Sequence, residues 1–302
     1  MPDAASDDAG APAGCSDCCP DGFARGTAAA ASRLRQLAAF TPSPADVATC
    51  PDGSVFVTLD GPDQVWRIPE SGPPVAYADV TGVQPAGIAC DERGRLFVIA
   101  FSLRANSPFK TPGVLLVEGE LAAPRLLPQP RGGSFTTPNG IAAASGIGLY
   151  ATDTLGGAVV LIREVNGTFE STIAARNMLG VNGVAYDGAA RKLYVSNSVS
   201  QEVTSFAVSA DGALSKPSVE WTATGFEQLD GMVVDELGRA YVAGWGGGDV
   251  HRLSDQKVVA SVAKPASLAF RGGTLLVVDY HLGEPTREGG LYAVDLGACG
   301  AR

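Results

Sequence analysis

The sequence predicts an all-β fold, a six-bladed β-propeller whose N-terminal strand closes the last blade. A short motif recurs six times, each copy is followed by further strand-like segments, and no long stretch shows helical periodicity. The motif reads PADVA from Pro44, PAGIA from Pro85, PNGIA from Pro138, VNGVA from Val181, LDGMV from Leu229 and PASLA from Pro265. Its copies lie about 45 residues apart, the spacing of four-stranded propeller blades.

Each motif opens the first strand of a unit. Most continue into a Gly- or Asp-containing turn and then a second strand: SVFVTLD, RLFVIAF, GLYATDT, KLYVSNS, RAYVAGW and TLLVVDY. Their β-branched and aromatic residues are those that fit a pleated, buried surface. A third strand follows as QVWRI, GVLLVEG, AVVLIRE, VTSFAV, DVHRL and GLYAVDL, and a less regular fourth as in PVAYADV and QKVVASV. The last unit stops after GLYAVDL with no fourth strand. RLRQLAAF, residues 33–40, lies just ahead of the first motif and is expected to supply it. Such closure joins the chain ends and leaves no open sheet edge.

Residues 1–30 differ in composition, being rich in Ala, Asp, Gly and Pro, and are read as a flexible Cys-containing leader ahead of a propeller over 31–302. They lack the charged start and apolar stretch of a signal peptide. A leader of this kind fits an exported protein, periplasmic or extracellular, from which the signal has been removed. The six cysteines, Cys15, Cys18, Cys19, Cys50, Cys90 and Cys299, are an even set gathered toward the two chain ends. They fit disulfides in an oxidising compartment, with a bridge between Cys299 and the N-terminal group plausible once the ends meet. Zinc at Cys15, Cys18 and Cys19 is the rival reading, but no second paired cluster or nearby His completes a site.

The net charge of −10 argues against a nucleic-acid partner, which needs a basic face. No apolar run approaches the roughly 20 residues that cross a bilayer. A closed ring needs no partner for stability, so a monomer is expected.

In a propeller the first strand of each blade lines the central axis. The second motif residue then sits where the chain enters that strand, so six equivalent positions converge at one mouth: Ala45, Ala86, Asn139, Asn182, Asp230 and Ala266. Three are methyl groups, and three consecutive blades carry oxygen donors. Asn or Asp before Gly is an ordinary turn pair when it occurs alone. Its recurrence at one repeat position in three blades instead predicts a hard-cation site, and explains how the Asp230 carboxylate is tolerated at the start of a buried strand. Two long loops on the same face, 102–113 and 281–290, would wall the mouth with Arg104, Phe109, Lys110, His281, Glu284 and Arg287. The other histidine, His251, falls within a third strand and is read as structural.

TPNGIAAASGIGLYATDT, GVNGVAYDGAARKLYVSNS and LDGMVVDELGRAYVAGWGGG resemble the senescence marker protein/gluconolactonase/regucalcin-like family, relatives of paraoxonases and diisopropyl fluorophosphatase. The resemblance spans about residues 33–296. It implies calcium, or another divalent ion, held at the axis by Asn139, Asn182 and Asp230, and hydrolysis of a small lactone or related ester. The family's fourth ligand, a Glu, falls at Ala45, so Asp46 beside it becomes the substitute to test. Asp230 or His281 would act as base, with Arg104, Phe109 and Trp245 in the substrate pocket. A paraoxonase-like histidine has no counterpart, since its place falls near Trp245 and Gly246. The missing Glu also keeps open a non-catalytic propeller that binds a protein or carbohydrate. A quinone-dependent sugar dehydrogenase lacks support, because no cluster of basic residues and His suits that cofactor.

Overall fold

Strand character follows depth within the blade. A second strand is covered by neighbouring blades on both faces, so Val55–Leu59 is apolar except for Thr58 and is buried throughout. A fourth strand faces water, and Ser218–Thr222 is mostly exposed. The computed structural model describes residues 34–284 and 286–296.

The chain begins with β1 (Leu34–Phe40) and builds the first blade from β2 (Pro44–Thr49), β3 (Val55–Leu59), β4 (Gln64–Ile68) and β5 (Val75–Asp79). The second holds β6 (Val83–Cys90), β7 (Leu96–Leu103), β8 (Gly113–Val117) and a rudimentary β9 (Arg125–Leu126). The third has β10 (Pro138–Ala144), β11 (Gly148–Asp153), β12 (Ala158–Val165) and β13 (Thr168–Ala175). The fourth has β14 (Val181–Asp187), β15 (Lys192–Asn197), β16 (Glu202–Ala207) and β17 (Ser218–Thr222). The fifth has β18 (Leu229–Val234), β19 (Ala240–Gly244), β20 (Asp249–Arg252) and β21 (Lys257–Ser261). The sixth joins β22 (Pro265–Arg271), β23 (Thr274–Asp279) and β24 (Gly289–Asp295) to β1. β1 runs antiparallel to β24, from Leu34 opposite Val294 to Phe40 opposite Gly289. The six-bladed propeller and its N-terminal closing strand are therefore as the repeat predicts. Among the described residues there is no helix long and apolar enough to cross a membrane.

Apolar burial lies between blades rather than at the centre. Val65 and Ala78 of the first blade pack against Val98 and Leu115 of the second. Phe97 and Leu116 meet Leu149 and Val160 across the next junction, and Phe40, Val278 and Leu291 meet Val47 and Val57 where the ring closes. The hydrophobic effect thus holds the blades side by side. The axis is left free for polar groups.

Cys50, just after β2, is bonded to Cys90 at the end of β6, with Cα atoms 5.1 Å apart. This bridge ties the first two blades on the face opposite the motif residues. Cys15, Cys18, Cys19 and Cys299, like the leader over 1–30, lie outside the described residues.

Candidate functional site

Every first strand slips register against its neighbour at the motif. Pro138 faces Asp153 but Ile141 faces Ala151, and Val181 faces Asn197 while Val184 faces Val195. Leu229 and Met232 repeat the step against Gly244 and Val242. The first, second and sixth blades slip likewise. Each slip is a β-bulge of one extra residue, which bends the strand and re-aims a side chain.

The bulged residues meet at one cavity of about 210 Å³, lined by Asn139, Asn182, Asp230, Asp46 and Trp245 together with Ala45, Ala86 and Ala266. The glycines after the motif residues are there for proximity. A Cβ on Gly140 would stand 2.5 Å from the Asn182 carbonyl oxygen, and one on Gly183 would stand 2.3 Å from that of Asp230. Gly87 and Gly231 pack in the same way on the carbonyls of Asn139 and Ala266. Hydroxyls of the second strands complete this inner ring: Thr58 donates to the Ala86 carbonyl at 2.8 Å, Ser196 to that of Asp230 at 2.6 Å, and Thr152 to that of Asn182.

The two amides are oriented from behind. Asn139 Nδ2 donates to Thr154 Oγ1 at 3.3 Å, and Asn182 Nδ2 donates to Ser198 Oγ at 2.8 Å. Ser198 in turn donates to the Leu229 carbonyl at 2.7 Å. With each amide nitrogen engaged, each amide oxygen remains as the acceptor for a ligand at the axis.

Two carboxylates share this space. Asp46 Oδ1 accepts from Val47 N at 2.6 Å and from the Ser267 hydroxyl, and Oδ2 accepts from Ile88 N at 3.2 Å. Removal from bulk water nevertheless raises its pKa to about 7. The Asp230 carboxyl is pushed well up by the same loss of water and then by the negative charge of Asp46. Among the described residues lining the cavity none is cationic. Amide and carboxylate oxygens that face one space with no cationic side chain beside them are a donor set that suits a hard divalent cation.

Other expected residues stand elsewhere. Arg104 is held by Asp60 and by Asp63, the latter at 2.8 Å, and does not line the cavity. Phe109 packs into the apolar junction of the first two blades. His281, expected to overhang the axis, is buried beside the cavity wall. Its backbone N–H donates to Ser43 Oγ at 2.8 Å, and its Nε2 lies 3.5 Å from Asp279 Oδ2. The imidazole thus lies in the junction between the first and last blades rather than out over the mouth.

The sequence reading passed over Gln84, Phe101, Ser198, Gln228 and Tyr280, which also line the cavity. A signal for four of the six blades was present. Phe101, Ser198, Trp245 and Tyr280 are the last residues of their second-strand segments, and together they make an upper ring above the motif residues. Gln84 Nε2 donates to Asp60 Oδ2 at 2.8 Å, and the Tyr280 hydroxyl donates to the same oxygen at 3.3 Å. Trp245 Nε1 donates to the Tyr280 carbonyl at 2.8 Å, and Lys264 Nζ lies 4.0 Å from the centre of its ring, a cation–π contact.

Residues 151–277, from β11 into β23, match the SMP-30/Gluconolactonase/LRE-like region. That region includes Asn182, Asp230 and Trp245 and stops short of Asn139, Asp46 and His281. A comparison with curated proteins returns no match. Among solved structures, a gluconolactonase from Xanthomonas campestris is 20% identical with a TM-score of 0.69, over 92% of this chain and 95% of its own. A calcium-binding regucalcin from Agrobacterium tumefaciens is 17% identical with a TM-score of 0.63, over 84% and 90%. An inactive virginiamycin B lyase from Staphylococcus aureus is 14% identical with a TM-score of 0.57, over 86% and 99%. At these identities the three share the fold with this chain. The fold alone does not select a reaction, since function resides in the site built upon it.

Proposed function

We propose that the chain is a divalent-cation-dependent hydrolase of lactones or related esters, with calcium the ion of choice. The observation that carries this reading is the meeting of Asn139, Asn182 and Asp230 at bulged starts of three consecutive inner strands, with both amide nitrogens tied back. These three residues would hold the ion, and Asp46 would add negative charge from the cavity wall. Three protein oxygens are fewer than the roughly six to eight that calcium takes, which leaves room for water and substrate. When bound, such an ion polarises an ester carbonyl and stabilises the charge that develops on its oxygen. Asp230, facing the same space as the ion, accepts a proton from the attacking water. As the water oxygen bonds to the carbonyl carbon, the ring C–O bond breaks and that proton passes to the departing alkoxide, leaving a hydroxy acid. His281, which does not line the cavity, is given no part in these steps.

The family match and the gluconolactonase and regucalcin likenesses support this reading in kind. Export to an oxidising compartment belongs to the same proposal, and the Cys50–Cys90 bridge is compatible with it. Turnover of γ- and δ-lactones and aryl esters, measured before and after exhaustive chelation and in Asp230→Ala, tests it. Activity should vanish with the ion and return with added calcium; full activity in chelator would sink the reading.

A non-catalytic propeller is the second reading. It is favoured by Asp46, whose carboxylate oxygens already accept hydrogen bonds, and by Ala45 at the place where the resemblance implies Glu. Exposed Leu155, Leu179, Val199 and Phe226, in connections on the mouth face, would then contact a protein partner. Absence of turnover with every ester, alongside retention of a partner, selects it.

A further inference from the structure

The cavity is two-sided. Asn139, Asn182, Ser198, Gln228 and Asp230 line the sector formed by the third to fifth blades. Opposite them, Ala45, Ala86, Ala266, Phe101 and Leu282 line the sector formed by the sixth, first and second blades, and Trp245 closes the gap. The polar side chains of this second sector already make hydrogen bonds, Asp46 accepting from Val47 N, Ile88 N and the Ser267 hydroxyl. Gln84 Nε2 and the Tyr280 hydroxyl both donate to Asp60, Gln84 Oε1 accepts from Ser102 Oγ at 3.0 Å, and the indole N–H of Trp245 is held by the Tyr280 carbonyl. Asp60 itself is paired with Arg104. Apart from Asp46, a substrate reaching across the cavity from the polar sector therefore meets chiefly methyl groups and ring faces, and the polar side chains there are engaged with one another.

We infer that the preferred substrates are lactones or esters with a small apolar substituent, an alkyl chain or aryl ring, rather than polyhydroxylated sugar lactones. The inference rests on the hydrolase reading above and names its substrate class. A sugar lactone carries hydroxyls around its ring, and those turned toward Ala45, Ala86 and Ala266 would be desolvated without partners, each costing on the order of tenfold in binding. An alkyl group in the same place gains about threefold to fourfold per buried methylene until the space is filled. The volume of about 210 Å³ is below the ~300 Å³ where drug-sized pockets begin, so the substituent is short. Leu282, 53% exposed at the rim, extends the apolar wall toward solvent.

The test has two arms. In the first, kcat/KM is measured with calcium for γ-butyrolactone, γ-hexanolactone, γ-octanolactone and δ-gluconolactone. The expected order rises with chain length and places δ-gluconolactone at least ~10-fold below γ-hexanolactone. Leu282→Ser, at a half-exposed position that leaves folding intact, should flatten the chain-length dependence. In the second arm, non-hydrolysable γ-alkyl lactams and δ-gluconolactam are titrated without metal and tryptophan fluorescence is followed, with Trp245→Phe as the control that silences the response. Tighter binding of the alkyl lactams supports the inference; equal or tighter binding of gluconolactam overturns it. Lactone hydrolysis with δ-gluconolactone preferred overturns the substrate class and leaves the hydrolase reading standing. No hydrolysis of any lactone or ester removes the hydrolase reading, and the lactam titration then decides the apolar preference by itself.

Discussion

The hydroxyl of Ser267 in the sixth blade donates to the carboxylate of Asp46 in the first. The two residues occupy the third motif position, which is glycine in each of the four intervening blades. Asp46 also accepts from Ile88 N of the second blade, so one carboxyl group ties three blades around the axis. Where the third, fourth and fifth blades are joined through neutral hydroxyls and backbone carbonyls, this part of the ring closes through a desolvated acid.

That acid makes ion-free stability depend on pH in a stated direction. The Asp46 pKa is about 7 folded and 3.8 as the ordinary value, so between these the folded state keeps a proton that the unfolded chain has released. Its contribution is complete below about pH 4 and is lost as pH rises through 7. In chelator, the Tm of Asp46→Asn should therefore gain on wild type by several degrees, on the order of 5 °C, between pH 4 and 7. On the proposed reading calcium favours the ionised form, so its addition should narrow the gap. A Tm difference that stays flat across this range in chelator would contradict the placement of Asp46.

Ser198 should act on the ion through Asn182. Ser198→Ala frees the Asn182 amide nitrogen, and loss of such a backing hydrogen bond typically lowers metal affinity about 10- to 100-fold. Calorimetric titration with calcium checks it, and Ser198→Thr should restore much of the loss. Unchanged affinity in Ser198→Ala would mean that the amide is not positioned by this bond.

Gly183→Ala places a methyl group 2.3 Å from the Asp230 carbonyl oxygen and 2.8 Å from Gly231 Cα, both backbone atoms. The fourth and fifth blades must then part, at a cost of about 1–3 kcal/mol. Chemical denaturation measures that loss, and calcium affinity should fall with it because Asn182 and Asp230 flank the contact. Gly53→Ala, where nothing lies within 4 Å but φ is +83°, separates backbone strain from overcrowding and should leave calcium affinity untouched.

Reduction of Cys50–Cys90 opens a loop of 40 residues, which corresponds to at most about 4 kcal/mol of chain entropy. Denaturation with and without reductant should show a loss of that order. Lactone turnover per folded molecule should not change, because the bridge lies on the opposite face from the cavity.

Much of this arrangement could be read from the sequence, for a definite reason. Radial repetition converts residues about 45 apart into neighbours, so aligning the repeats already groups Asn139, Asn182 and Asp230, and pairs RLRQLAAF with the last blade. What escaped depends on distances that repetition does not encode. An Asn-Gly pair looks like a turn, yet Gly140 and Gly183 have no positive φ and are required by the close approach of the next strand. The bulges that aim the motif residues inward leave no mark in composition. Arg104 looked available until Asp60 and Asp63 were found beside it. Cys50 and Cys90 pair because two strand ends on adjacent blades coincide, which cysteine spacing does not reveal.

The most direct measurement is anomalous diffraction from crystals grown with calcium. The account predicts one ion on the axis, about 2.3–2.6 Å from an amide oxygen of Asn139, an amide oxygen of Asn182 and a carboxylate oxygen of Asp230. No ion at saturating calcium, or an ion bound without these three oxygens, would contradict it.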